Sequence, residues 1–308
     1  MHHTSEDRTA FLKGMGYMLI TILIWAGWAI SNRIGFHGHL NTYDIVAARM
    51  AVAGVLCVPW VWKYGLKVGP LGYGGGVILM IVAGAPYCLV AIGGFSFAPA
   101  AHVGIINATI ILLTVTIGIL VLKERNSPLR WVGLAVVLLG VGCIMLSKSP
   151  ADMAQDAWIG HVLFLCAGVG WGTYTLLSRA WRVAPLHGVS VVSVLSLVTY
   201  LPVYLFLLPK GIAQASWQEV AWQGFYQGLV TSIIALITYM RAIALLGASS
   251  AGACVPTAPV VVALLAIPIL GEVPGPLEWT GILTVLAGVL AASGSLEQLW
   301  RKKKLVIT

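Results

Sequence analysis

Charge is scarce in this chain of 308 residues: Asp, Glu, Lys and Arg make up 9% of it, against roughly 25% in soluble domains. With 59% of positions apolar, no water-covered fold could hide enough of the surface, whereas a chain in lipid needs charge only at its loops and ends. The apolar runs also lack the apolar/polar alternation of about ten residues that a membrane β-barrel requires, which leaves helices to satisfy the backbone. There is no Walker A segment, no HExxH and no Ser/His/Asp set at membrane depth, which speaks against ATP drive within the chain and against hydrolysis. The five cysteines are an odd set without CxxC spacing; they read as reduced packing residues, with neither metal nor cofactor expected. The net charge of +8 does not point to nucleic acid, because Lys and Arg follow the loops instead of forming one basic face.

What is abundant is apolar length. Spans of about twenty residues fit at 14 to 32, 43 to 62, 72 to 94, 99 to 121, 128 to 147, 158 to 178, 187 to 208, 222 to 246, 249 to 270 and 277 to 295. The fold class is therefore an all-α integral membrane protein of ten transmembrane helices. The lipid bilayer is its first partner. The first run has no small-residue cleavage site and reads as a retained helix.

Orientation follows the basic residues. With the N-terminus inside, the inner segments hold thirteen: Arg8, Lys13, Lys63, Lys67, Lys123, Arg125, Arg130, Arg179, Arg182, Arg301, Lys302, Lys303 and Lys304. The outer loops hold three, Arg33, Lys148 and Lys210. Both termini are expected in the cytoplasm, as an even number of spans requires.

The chain repeats itself. Glu124, Pro128, Leu129, Trp131, Gly133, Val137, Leu138, Gly140 and Val141 recur 148 positions later as Glu272, Pro276, Leu277, Trp279, Gly281, Val285, Leu286, Gly288 and Val289. The same offset carries Ala100 and Gly104 onto Ala248 and Gly252, and an offset of 146 carries Trp25 onto Trp171 and Arg33 onto Arg179. The organisation expected is a cytoplasmic segment 1–13, a five-helix repeat 14–147, a connecting loop 148–157, a second repeat 158–295 and a basic cytoplasmic tail 296–308. Five being odd, the second repeat enters the membrane upside down. Inverted repeats are a building plan of secondary transporters, with substrate held near the midplane between the halves.

Over nearly its whole length the chain resembles the drug/metabolite transporter superfamily, in particular its ten-helix EamA-type exporters. The resemblance is carried by Trp25-Ala26 and Trp171-Gly172, by Arg49 in the second helix, by Ala248 through Pro259 to Leu270-Gly271-Glu272, and by Lys123-Glu124 at the end of the partner helix. Within that group it looks most like the bacterial aromatic amino acid exporters. The resemblance implies alternating-access export across the bacterial inner membrane, and no enzymatic activity.

Nine of the twelve tryptophans lie at span ends or in loops, as interfacial anchoring predicts; Trp25, Trp28 and Trp171 sit well inside their helices. Trp25 and Trp28 share a helical face, as do Trp171 and Tyr174, and the repeat superposes the two pairs, so they are expected to face each other across the centre, with Tyr87 and Tyr239 as further walls. Each of these rings could equally fill core volume. His102 and Asn107 are candidate polar partners for a substrate, interhelical hydrogen bonding being the plainer role of each. Pro86, Pro256 and Pro259 free backbone carbonyls that either face a cavity or sit in a packed kink. Gly133, Gly140, Gly281 and Gly288 mark close-packing faces, one use of which is a homodimer seam.

Among intramembrane charges, Asp44, Arg49 and Arg241 lie near span ends, Arg49 being a candidate outer charge site. Glu124 and Glu272 precede Pro-started helices and read as caps. With no carboxylate at the bilayer centre, downhill export is expected, or proton coupling through His102 or His161. The reading is an exporter of small metabolites, aromatic or hydrophobic amino acids foremost. The alternatives are a multidrug or toxic-cation exporter, whose aromatic walls would stack on cations, and a membrane-embedded lipid enzyme.

Overall fold

The computed structural model describes residues 5–120, 128–147 and 155–292, and their regular structure is helical with no strand among them. Nine apolar helices or broken helices have the length to cross a bilayer: Thr9–His37, Thr42–Tyr64, Tyr73–Gly94, Ala100–Ile117, Pro128–Leu146, Ala157–Ala180, Pro185–Leu207, Trp217–Leu246 and Ser250–Leu270. A shorter apolar helix, Pro276–Ala292, follows as the tenth span and runs up to undescribed residues. The segment around Glu124, most of the linker 148–157 and the basic tail lie outside the described residues.

Local chemistry explains most boundaries. Asn41 caps the second span, its side chain accepting from the backbone N–H of Tyr43 and Asp44 while the Asp44 carboxylate accepts from the Asn41 N–H; Ser216 and Glu219 form the same reciprocal box at the eighth, so that span begins at Trp217 and not near 222. The first helix starts at Ser5, inside the stretch read from sequence as a leading segment, and continues to His37. The third span breaks at Gly84, where the Ser196 hydroxyl accepts the Ala85 N–H at 3.0 Å. The eighth carries a π-helix over Gly224–Ile234, a rare form that concentrates at functional positions.

The two halves are interleaved. The first span packs against the eighth and ninth, and the sixth against the third and fourth; the second packs on the seventh, and the fifth on the tenth. Each of these pairings maps onto another of the set, or onto itself, when the halves are exchanged. The inversion is visible in the bonds: Arg33, near the end of the first span, donates to the Phe95 carbonyl at the end of the third, and His161, near the start of the sixth, meets His102 at the start of the fourth, two points joined by the short segment 95–99 and so on one side of the bundle. The first and sixth spans therefore cross in opposite senses.

The fifth and tenth spans meet through their duplicated glycines. A Cβ at Gly288 would stand 2.6 Å from the Val137 nitrogen and 2.9 Å from the Gly133 carbonyl; one at Gly140 would stand 2.6 Å from the Val285 nitrogen. The glycine faces are thus buried against each other within one chain, which removes them as the seam of a homodimer. Gly288→Leu should destabilise the protein by about 1–3 kcal/mol or more through overpacking, read as a lower thermal midpoint in detergent, whereas Gly142→Ala, whose Cβ meets nothing within 4 Å, should leave it unchanged.

Candidate functional site

The intramembrane aromatics are gathered by pairing across the repeats. Trp25 lies on Tyr239 of the eighth span, ring centroids 5.2 Å apart, and Trp171 lies on Tyr87 of the third at 5.4 Å and on Tyr174 at 5.2 Å. The indole of each half's first helix is held by a tyrosine from the other half's third. Tyr87 and Tyr239, expected as walls, are thus the rings in contact with the two repeat-related indoles. Trp28 packs edge-on against Phe95 at 5.2 Å, and its Nε1 is buried with no hydrogen-bond partner among the described residues. Trp28 and Tyr87 each border the same two clusters of the core.

A polar ladder joins the first, second and eighth spans beside these rings. Gln223 donates to the Ser31 carbonyl at 2.7 Å, and its side-chain oxygen accepts from the Ser31 hydroxyl at 3.3 Å and from Gln227 at 3.2 Å. Gln227 also donates to Asn32 at 2.9 Å, and Asn32 donates to the Trp28 carbonyl at 2.9 Å. Arg49 donates from Nη1 to the Gln227 side-chain oxygen at 3.2 Å. A guanidinium has five N–H donors, and this is the one hydrogen bond Arg49 makes among the described residues, with no carboxylate in ion-pair range. Arg49 is thus a half-buried guanidinium inside a membrane span that meets an uncharged amide and no carboxylate among the described residues.

Other expected site residues fall elsewhere. His102 is fully buried and lines no open surface: its Nδ1 is 2.8 Å from His161 Nε2 and its Nε2 is 3.1 Å from Glu278 Oε1, the latter off the line of a good hydrogen bond. Asn107 is half-buried and makes no hydrogen bond with a described residue. Pro86 is exposed at the restart of the third span after Gly84. Pro256 and Pro259 are buried in a packed kink, where Thr257 donates to the Cys254 carbonyl at 2.6 Å and Pro259 lies against Gly104. Asp44 is fully committed, accepting from Tyr204 at 2.7 Å, from the Gly211 N–H at 3.0 Å and from the Asn41 N–H at 2.9 Å.

Arg33 is not a solvated loop charge. Its side chain is 6% exposed and its Nε is 2.6 Å from Glu272 Oε1, while Nη1 donates to the Phe95 carbonyl at 2.9 Å. Glu272 Oε2 accepts the Ala100 N–H at 2.9 Å, so this glutamate caps the start of the fourth span in the other half, not the tenth helix that follows it. The pair ties together the first, third, fourth and ninth spans on one face of the bundle. The repeat-related Arg179 is exposed.

A family model described as the EamA-like transporter family matches residues 12–146 and 158–294. A probable terminal-alkyne amino-acid exporter of Streptantibioticus cattleyicolor is 25% identical over 288 residues, covering 90% of this chain and 92% of that protein. An uncharacterized transporter of Archaeoglobus fulgidus is 23% identical, covering 91% and 97%. The uncharacterized transporter YwfM of Bacillus subtilis is 26% identical over 183 residues, a match that spans 58% of that relative. A solved crystal structure superposes with a TM-score of 0.58 at 19% identity, covering 95% of this chain and 99% of the other, a likeness of fold alone.

Proposed function

This chain belongs to the EamA-like transporter family, and from that premise we propose that it exports small hydrophobic or aromatic amino acids by alternating access between its inverted halves. Arg49 carries the reading. Its free donors suit a substrate carboxylate, the Tyr87–Trp171–Tyr174 wall suits a flat apolar side chain, and the Trp28 N–H offers a further donor. An unpaired cation in this position disfavours a cationic drug, which sets the amino acid above the multidrug alternative. The amino-acid exporter among the relatives supports the same substrate class. Nothing in the site gathers the acids and histidines that a lipid enzyme would need around one reactive atom.

The excess of Lys and Arg in alternate loops supports an inner-membrane protein with both termini in the cytoplasm, which puts the Arg33–Glu272 face outside. With that face tied shut, the arrangement corresponds to an outward-closed state. Liposomes containing the purified protein and loaded with labelled tryptophan, phenylalanine, leucine, threonine or ethidium test the proposal. Tryptophan, phenylalanine or leucine should leave well above protein-free vesicles while ethidium is retained; loss of ethidium with retention of every amino acid would transfer the protein to the cation exporters.

A further inference from the structure

We propose that Glu278, His102 and His161 form a proton-binding site whose occupancy accompanies closure of the outer side, so that export responds to external pH. His102 comes from the start of the fourth span, in the first half, and His161 and Glu278 from the starts of the sixth and tenth, in the second. All three are buried, at 0%, 3% and 5% exposure. The imidazole of His102 is the middle member, 2.8 Å from one ring and 3.1 Å from the carboxylate.

The protonation arithmetic follows from the side-chain types. A carboxylate with two neutral imidazoles carries one net negative charge, which is costly away from water. One added proton makes the set neutral: His102 then holds protons on both ring nitrogens, its charge facing the Glu278 carboxylate as an ion pair across Nε2 while Nδ1–H donates to the His161 Nε2 lone pair. Burial therefore favours the proton-loaded set, and hydration on opening favours its release.

Neighbouring charge does not supply that proton's function. Arg33 and Glu272 neutralise each other beside the cluster, Glu272 binding the Ala100 N–H two residues before His102. His37 of the first span lies 3.4 Å from Arg33, and Asp156 at the start of the sixth is exposed. The third, fourth and ninth spans bring no Asp, Glu, Lys or Arg, and Arg130 of the fifth sits at the opposite end of the bundle.

The inference rests on the alternating-access reading but its test needs no substrate. Ala29, fully buried in the cluster that holds Phe95 and Ala100, is replaced by cysteine, and its modification by a membrane-impermeant maleimide in liposomes is followed by peptide mass spectrometry, with and without Glu278→Gln. The ratio of the two rates at each pH cancels the ionisation of the thiol itself. Closure that takes up one proton shifts its equilibrium by up to about tenfold per pH unit, with acid favouring the closed form. The rate for Ala29→Cys divided by that for the doubly substituted protein, whose amide leaves the set uncharged without a proton, should thus fall as external pH drops from about 8 to 5.5, and Glu278→Asp should retain the dependence. Glu278→Met serves where the amide fails to pack. A rate ratio that stays constant across the range overturns the proton site whether or not any amino acid is exported; a pH-dependent ratio with no efflux of any amino acid would uphold it and sink the substrate proposal instead.

Discussion

Arg49→Gln should reduce efflux of the carboxylate-bearing substrate by about ten- to a hundredfold, the equivalent of one charged hydrogen-bonded contact worth about 1.5–3 kcal/mol. Glutamine keeps a donor toward Gln227 while removing the charge and the fork that suits a carboxylate. Arg49→Lys should fall between, since an ammonium retains the charge without the two parallel donors. The discriminating measurement is tryptamine beside tryptophan in the same liposomes: it has the ring and the amine but no carboxylate, so its movement should not decline in the variant. An equal loss for both compounds would assign Arg49 to packing of the second and eighth spans.

The second large effect is expected at the Arg33–Glu272 pair. Removing one partner of a buried ion pair leaves the other charged and unsolvated, at a cost of about 3–5 kcal/mol. Glu272 has two jobs, so Glu272→Ala also strips the Ala100 N–H of its acceptor. Arg33→Ala should accordingly destabilise the outward-closed form, seen as faster labelling of a cysteine at Ala29. Replacing both charges together, Arg33→Met with Glu272→Gln, should recover most of the lost stability, because a methionine stem and a neutral amide leave no orphaned charge. Failure of the double variant to recover would mean that the Phe95 and Ala100 backbone contacts, and not the ion pair, dominate that face.

Much of the architecture was legible without coordinates. Span number follows from apolar length, and inversion from an odd number of duplicated helices; neither depends on side-chain geometry. Arg49 was visible because a charge interrupts an apolar run. The Gln223–Gln227–Asn32 ladder was not, since uncharged amides barely lower hydropathy, although two glutamines four apart in an apolar span place both on one helical face. The repeat set Trp25 and Trp171 at matched positions without revealing that each would lean on a tyrosine of the opposite half. Glu278 was hidden at a span edge, yet it replaces Arg130 inside the best-matched duplicated stretch, and a reversal of charge among identities is the signal that could have found it. Arg33 was misplaced because counting basic residues by loop cannot see a carboxylate arriving from the far end of the chain. The π-helix leaves no mark in composition, being a change of hydrogen-bond register alone.

That distant carboxylate bears on how the molecule is made. Arg33 and Glu272 are separated by 239 positions, and Ser31 and Asn32 meet their glutamines more than 190 positions later. A nascent chain leaving the ribosome inserts its opening helix long before any of these mates exists. Pairings so remote in sequence are slow to assemble, so the first helix must wait in the bilayer with an unmatched cation until the closing segments are synthesised, and its final seating is among the last events of biogenesis.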